Sequence, residues 1–123
     1  MGAKVLLVDD SGVMRKIILR ALNAVGVTDV VEAADGVEAL EHFKAEEIDL
    51  VLSDWNMPNM NGLDLLKAIR ATGSKVPLIM ITTESEQARV LQAIQAGANN
   101  YLVKPFQQEA LMEKLQKYIA VEA

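Results

Sequence analysis

Three aspartates, one threonine and one lysine carry most of the chemistry this sequence can offer: Asp9, Asp10, Asp54, Thr82 and Lys104. They stand at or just after the ends of short apolar runs, at residues 4–8, 50–52, 77–81 and 100–103. Runs of that length and composition read as buried strands. In an open parallel α/β sheet the C-terminal strand ends share one edge, where ligands bind, and all five side chains would meet there. Unbalanced, the three carboxylates repel one another and raise at least one pKa. A hard divalent cation removes the conflict, and Mg2+ suits a site with few carboxylates, one or two backbone oxygens and retained waters. Metal, the Lys104 ammonium and the Thr82 hydroxyl around one free carboxylate oxygen are what a transferring phosphoryl group needs, because its catalysis is mostly positioning and charge neutralisation. Asp54 is then the nucleophile and the product an aspartyl phosphate.

The elements that must position these residues alternate along the chain. The first strand, 4–8, stops at Asp9-Asp10. Ser11 and Gly12 can start a helix in which Val13, Met14, Ile17, Ile18, Ala21, Leu22 and Val25 recur at helical spacing, and Gly26 fits the stop position. A second strand covers 28–33, with Val30 and Val31 at its centre. Asp35-x-x-Glu38 then opens a helix as an Asp version of the capping box, with a buried stripe of Val37, Leu40 and Phe43. The central run 50–52 delivers Asp54 into a loop rich in Pro, Asn and Gly. Helix 62–71 turns Leu63, Leu66 and Ile69 to one face, and Gly73 ends it. After strand 77–81, Thr83-x-x-Glu86 predicts a capped helix through Ala96, with Gly97 as its C-terminal cap. Strand 100–103 runs into Lys104-Pro105, and the last helix presents Phe106, Leu111, Leu115 and Ile119 inward. Strand and helix thus alternate five times without a fixed-period repeat, which predicts an α/β fold: a five-stranded parallel sheet flanked by five helices on its two faces.

Bulk properties narrow the function. A chain of 123 residues with 51% hydrophobic content fits one domain, 1–123, around a single core. Its net charge of -5 disfavours nucleic acid or an anionic membrane as direct partner. The absence of Cys excludes disulfides and thiolate metal sites and is compatible with a cytoplasmic home. Nothing resembles a signal peptide or a spanning helix. Asp54-x-Asn56 could open a calcium loop, but that pattern needs Gly where Asn59 stands and Glu where Leu65 stands. Neither a Gly-x-Gly-x-x-Gly nor a Walker loop occurs, and His42, away from every strand end, reads as a solvated side chain.

Asp9-Asp10, Asp54 followed by Met57-Pro58 and Gly62, Thr82, and Lys104-Pro105 occur in that order along essentially the whole chain. In this combination the sequence resembles the receiver domains of two-component response regulators. The stretches Asp54-Trp-Asn-Met-Pro-x-Met-Asn-Gly-Leu63, Ile81-Thr-Thr-Glu84 and Gly97-Ala-Asn-Asn-Tyr-Leu-Val-Lys-Pro-Phe106 are similar to the single-domain chemotaxis members of that family. The resemblance implies a flavodoxin-like sheet of order 2-1-3-4-5. It implies that Asp10, Asp54 and the Asn56 main-chain oxygen coordinate Mg2+, with Asp9 acting directly or through water. Lys104 would contact the phosphoryl oxygens, and Thr82 would bond to one of them and shift on phosphorylation. Tyr101 would then turn inward, remodelling the surface of helix four, strand five and helix five; on residue chemistry alone it could equally be a strand aromatic at a sheet edge. A cis Lys104-Pro105 peptide is implied, as is an influence of Asn56 and Glu84 on how fast the phosphoryl group is lost to water.

The function so implied is a phospho-accepting switch, not a turnover enzyme beyond Mg2+-dependent self-phosphorylation and autodephosphorylation. Its phosphodonor would be a histidine kinase, its target a protein such as the flagellar motor switch, its state a cytoplasmic monomer. Receivers of a phosphorelay, or of a longer regulator, are the alternatives within the class. Gly12 departs from motor-binding relatives, which often carry Ser there, though Gly is itself an acceptable cap. A haloacid-dehalogenase-like phosphatase also uses an aspartyl nucleophile, but it needs a second Asp two residues on, where this chain has Asn56.

Overall fold

A computed structural model describes residues 2–83 and 88–121. Strand and helix alternate as β1 (Lys4–Val8), α1 (Gly12–Ala24), β2 (Asp29–Ala33), α2 (Gly36–Ala45), β3 (Leu50–Asp54), α3 (Gly62–Ala71), β4 (Leu78–Thr83), α4 (Val90–Ala96), β5 (Asn100–Lys104) and α5 (Gln108–Leu115). All neighbouring strands pair parallel, in the order β2-β1-β3-β4-β5. The expected α/β sheet and its order are therefore both found.

Strand geometry explains why the core has two layers. Successive side chains point to opposite faces, so Val5 and Leu7 of β1 join Ile18, Leu22, Leu111 and Leu115, while Leu6 and Val8 join Leu66, Ile69 and Met80. β1 and β3 lie between other strands and are covered on both faces, which is why they read as continuous apolar runs. Each fully buried Leu or Ile here stabilises the fold by about 1.5–3 kcal/mol relative to exposure.

The helices depart from expectation on their flanks. In α1, Ile18 and Leu22 are buried, but Val13 and Ile17 are 73% and 53% exposed. In α2, Val37 is 44% exposed while Ala39 is buried and Leu40 and Phe43 pack against the core. Helical periodicity locates an apolar stripe but not how far round the helix the neighbours cover it. Ser11, not Gly12, caps α1, accepting from the Met14 N–H at 3.2 Å, so the Gly12 departure falls inside the helix. At α2, Asp35 accepts from the Glu38 N–H at 2.8 Å, whereas the Glu38 carboxylate accepts from the Ala34 N–H at 3.3 Å rather than from Asp35 itself. β4 extends two residues further than predicted and takes Thr82 into the strand. Phe106 precedes α5 and Ile119 follows it, yet both pack on the same layer as Leu111 and Leu115. The Glu86 half of the capping box expected before α4 lies outside the described residues.

Candidate functional site

Parallel register assembles the site. Val8 pairs with Ser53, so Asp9 and Asp54 come next, level with each other, on adjacent strands. Asp54 pairs with Ile81, which puts Thr82 one step beyond it, and Thr83 pairs with Lys104. One carboxylate oxygen from each of Asp9, Asp10 and Asp54 lies within 4.8 Å of the other two, with Asp9 and Asp54 buried and Asp10 exposed.

Local bonds hold each acid in place. The Asp9 N–H donates to Ala33 O at 3.1 Å, and the Asp9 carboxylate accepts from the Ser11 N–H at 2.9 Å. Arg15 donates to the Asp9 carbonyl at 2.6 Å while its Nε pairs with Glu32 at 3.2 Å. Asp54 Oδ1 accepts from the Trp55 N–H at 2.8 Å and from Lys104 Nζ at 3.2 Å. The same ammonium is 3.8 Å from Asp9 Oδ2. Ser53 Oγ donates to the Asp54 carbonyl at 2.9 Å. The backbone of α3 comes so close behind that a Cβ on Gly62 would collide with this carbonyl oxygen, so only glycine lets the helix start there.

One nearby ammonium does not balance three acids. Burial, then the Asp9 charge, push the Asp54 carboxyl above its ordinary value, against the opposing pull of Lys104. At an effective dielectric constant near 20, two unit charges 4.8 Å apart, the widest spacing in this cluster, repel by roughly 3.5 kcal/mol. Asp9 Oδ2 is buried without a hydrogen-bond partner among the described residues. An all-oxygen donor set with an unsatisfied buried oxygen and excess negative charge fits a hard divalent cation such as Mg2+.

Around the acids the other expected residues fall as follows. Thr82 is fully buried, and its Oγ1 has no hydrogen-bond partner among the described residues. Tyr101, paired with Met80 in the neighbouring strand, is half-buried, with Lys114 Nζ 5.0 Å from its ring centroid. Asn56 is exposed, and Arg89 Nη1 approaches its side-chain oxygen at 3.5 Å while the guanidinium sits 5.8 Å from the Trp55 ring centroid. The Lys104-Pro105 peptide is cis. Glu84 lies outside the described residues. His42 sits on α2, 3.3 Å from Glu46 and away from the strand ends. Beside Lys104 a hollow of about 140 Å³ is lined by Met14, Ile17, Lys104, Pro105 and Phe106.

Sequence reasoning missed Arg15 and Arg89. Arg15 had a faint signal: a cation in the early turns of a helix opposes the helix dipole and needs a local anion or carbonyl to justify it. No comparable signal marks Arg89, whose partners are 33 and 34 residues back in the chain, at Asn56 and Trp55.

A doubly wound parallel sheet whose C-terminal edge holds an acid cluster and a lysine defines an acid-centred α/β domain. The profile of the response regulator receiver domain matches residues 5–116, and the chain belongs to this family, whose members are phosphoacceptors rather than classical enzymes. It is 51% identical over 116 residues to the chemotaxis protein CheY1 of Helicobacter pylori strain J99, covering 92% of this chain and 94% of that protein. The CheY homolog of Campylobacter jejuni strain 81-176 is 49% identical, over 92% of this chain and 89% of its own. Among solved structures, the chemotaxis response regulator CheY4 of Vibrio cholerae matches with a TM-score of 0.87 at 38% identity, over 96% of this chain and 99% of that one. No helix among the described residues is long and apolar enough to cross a membrane.

Proposed function

We propose that this receiver takes a phosphoryl group from a histidine kinase onto Asp54 and signals in chemotaxis from the cytoplasm, as a monomer. The observation that carries the reading is the Lys104 ammonium 3.2 Å from a buried, acid-flanked Asp54 carboxylate. Asp9, Asp10, Asp54 and the Asn56 main-chain oxygen would hold Mg2+, which when bound supplies positive charge against the phosphoryl oxygens. An Asp54 oxygen attacks phosphorus as the bond to the donor's histidine nitrogen breaks, and the electron pair leaves with the imidazole, which takes up a proton. Lys104 then pairs with a phosphoryl oxygen, and the Trp55 N–H stays on the carboxyl group. The Thr82 hydroxyl, without a partner among the described residues, gains an acceptor, and its movement toward Asp54 leaves space for Tyr101 to turn inward. The face of α4, β5 and α5 changes with it and meets the protein target, for which a flagellar motor switch suits the chemotaxis relatives. Asn56 and Glu84 would tune how fast water removes the phosphoryl group.

Acetyl phosphate and Mg2+ should add one phosphoryl group to the wild type and none to Asp54→Ala, read by intact mass. Equal labelling of the two proteins would overturn the assignment.

A further inference from the structure

The segment 55–61 leaves Asp54 and returns to α3, so its shape decides what the main chain presents beside the acid cluster. Its base is closed by the Gly62 N–H bonding to Trp55 O at 2.8 Å, and Asn61 caps α3 through the Asp64 N–H at 2.8 Å. Its outer turn is pinned by a different element. Asn59 stands in the left-handed region at φ 66°, which Asn tolerates better than most residues. Its Nδ2 donates to Asp35 Oδ2 at 2.7 Å, while Asp35 Oδ1 accepts the α2 cap bond from Glu38. The cap bond and then the Asn59 amide hold the Asp35 carboxyl below the ordinary carboxylate range. Beside them the Gly36 N–H donates to Met60 O at 3.1 Å, an approach so close that a Cβ on Gly36 would lie 2.5 Å from that oxygen. Because β1 lies between β2 and β3, this bridge spans the strand that carries the other two acids.

We propose that Asp35 and Asn59 are positioning residues for phosphoryl acceptance: their hydrogen bond fixes the turn after Asp54 so that the Asn56 main-chain oxygen is held ready for a divalent cation. The proposal rests on the reading of Asp54 as a Mg2+-dependent acceptor. Asp35 thereby serves two elements at once, one oxygen for α2 and one for the acceptor turn.

Two variants separate the clamp from local structure. Asp35→Ser keeps a good helix cap but lacks a second acceptor oxygen for Asn59. Asn59→Gly keeps the left-handed backbone and loses the amide. Each should weaken Mg2+ binding, read by Trp55 fluorescence, about 3- to 10-fold, somewhat less than the loss typical of removing a group bonded directly to a metal ligand. The double variant should lose little more than either single one, since both remove the same bond. Amide exchange of residues 56–60 should quicken in the metal-free variants, which the loss of an α2 cap alone would not cause. Unchanged Mg2+ affinity and exchange in both variants, or fully additive losses, would overturn the clamp. Should the wild type take no phosphoryl group at Asp54, the acceptor reading falls by itself, and the titration and exchange data still decide whether the clamp exists.

Discussion

Helices α3 and α4 lie next to each other and are held in different ways. α3 has a side-chain cap from Asn61 and buries Leu63, Leu65, Leu66 and Ile69. α4 has Arg89 at its N-cap without a side-chain cap bond, buries only Ala93 of residues 90–96, and leaves Leu91 and Ile94 exposed. At its far end Arg70 of α3 donates to Gly97 O at 3.2 and 2.9 Å and to Asn99 Oδ1 at 3.0 Å, while at its near end Arg89 reaches Asn56 and the Trp55 ring only at 3.5 and 5.8 Å. Local stability follows buried contact, so the acid-bearing β3–α3 unit belongs to the firm part of the molecule and α4 to the loosely held part. A protein that must keep a reactive geometry constant while changing a surface gains from that division.

The comparison breaks most visibly in the core. Leu66→Ala in α3 should cost about 2–5 kcal/mol in urea unfolding, from lost burial plus a cavity, while Leu91→Ala in α4 should stay within about 0.5 kcal/mol. Similar losses from both would mean that α4 is as integral to the fold as α3. Next in size is the fastening between them. Arg70→Met removes bonds to Gly97, Asn99 and Ser74 and should cost about 1–3 kcal/mol. Amide exchange across residues 90–96 should accelerate much more than across 62–71; a uniform acceleration would refute the role of Arg70 as the main fastening of α4.

The last effect concerns sign. The Asp54 carboxyl is held above its ordinary value, so the folded protein binds that proton more tightly than the unfolded chain does. Its contribution to stability is complete below about pH 4 and is lost as pH rises through the raised folded value. Asp54→Asn escapes that loss. In metal-free buffer its thermal midpoint should exceed that of the wild type by a margin that grows from acid to neutral pH, and a margin independent of pH would contradict the electrostatic account.

What could be read from the sequence was what depends on short range. Strand ends were marked by the change from apolar runs to Asp9-Asp10, Asp54 and Lys104, and parallel pairing then brings them together by register. The stripe of α1 was located, but its exposed members Val13 and Ile17 were not distinguished from Ile18 and Leu22, because that depends on which neighbours lie across the sheet. Asp35 was recognised as a cap from its spacing to Glu38, yet its second bond, to Asn59, spans 24 positions and leaves no periodic trace. A weaker hint existed in Pro58-Asn59, since Asn after Pro suits a turn with a left-handed residue. Arg70 carried no hint at all.

Lys104 is supplied by β5, an edge strand that among the described residues pairs only with β4, while Asp9 directly follows and Asp54 ends strands enclosed on both sides. Edge strands open at lower free energy than enclosed ones. The cation of the site is therefore mounted on the margin of the sheet and the anions near its centre. On warming, the protein should be disarmed before it melts: labelling by acetyl phosphate should decline over a range in which far-ultraviolet circular dichroism is still flat. If the two signals fell together, β5 would be as secure as the centre of the sheet. Such a protein would carry its own upper temperature limit for signalling, set by one marginal strand rather than by the stability of the whole domain.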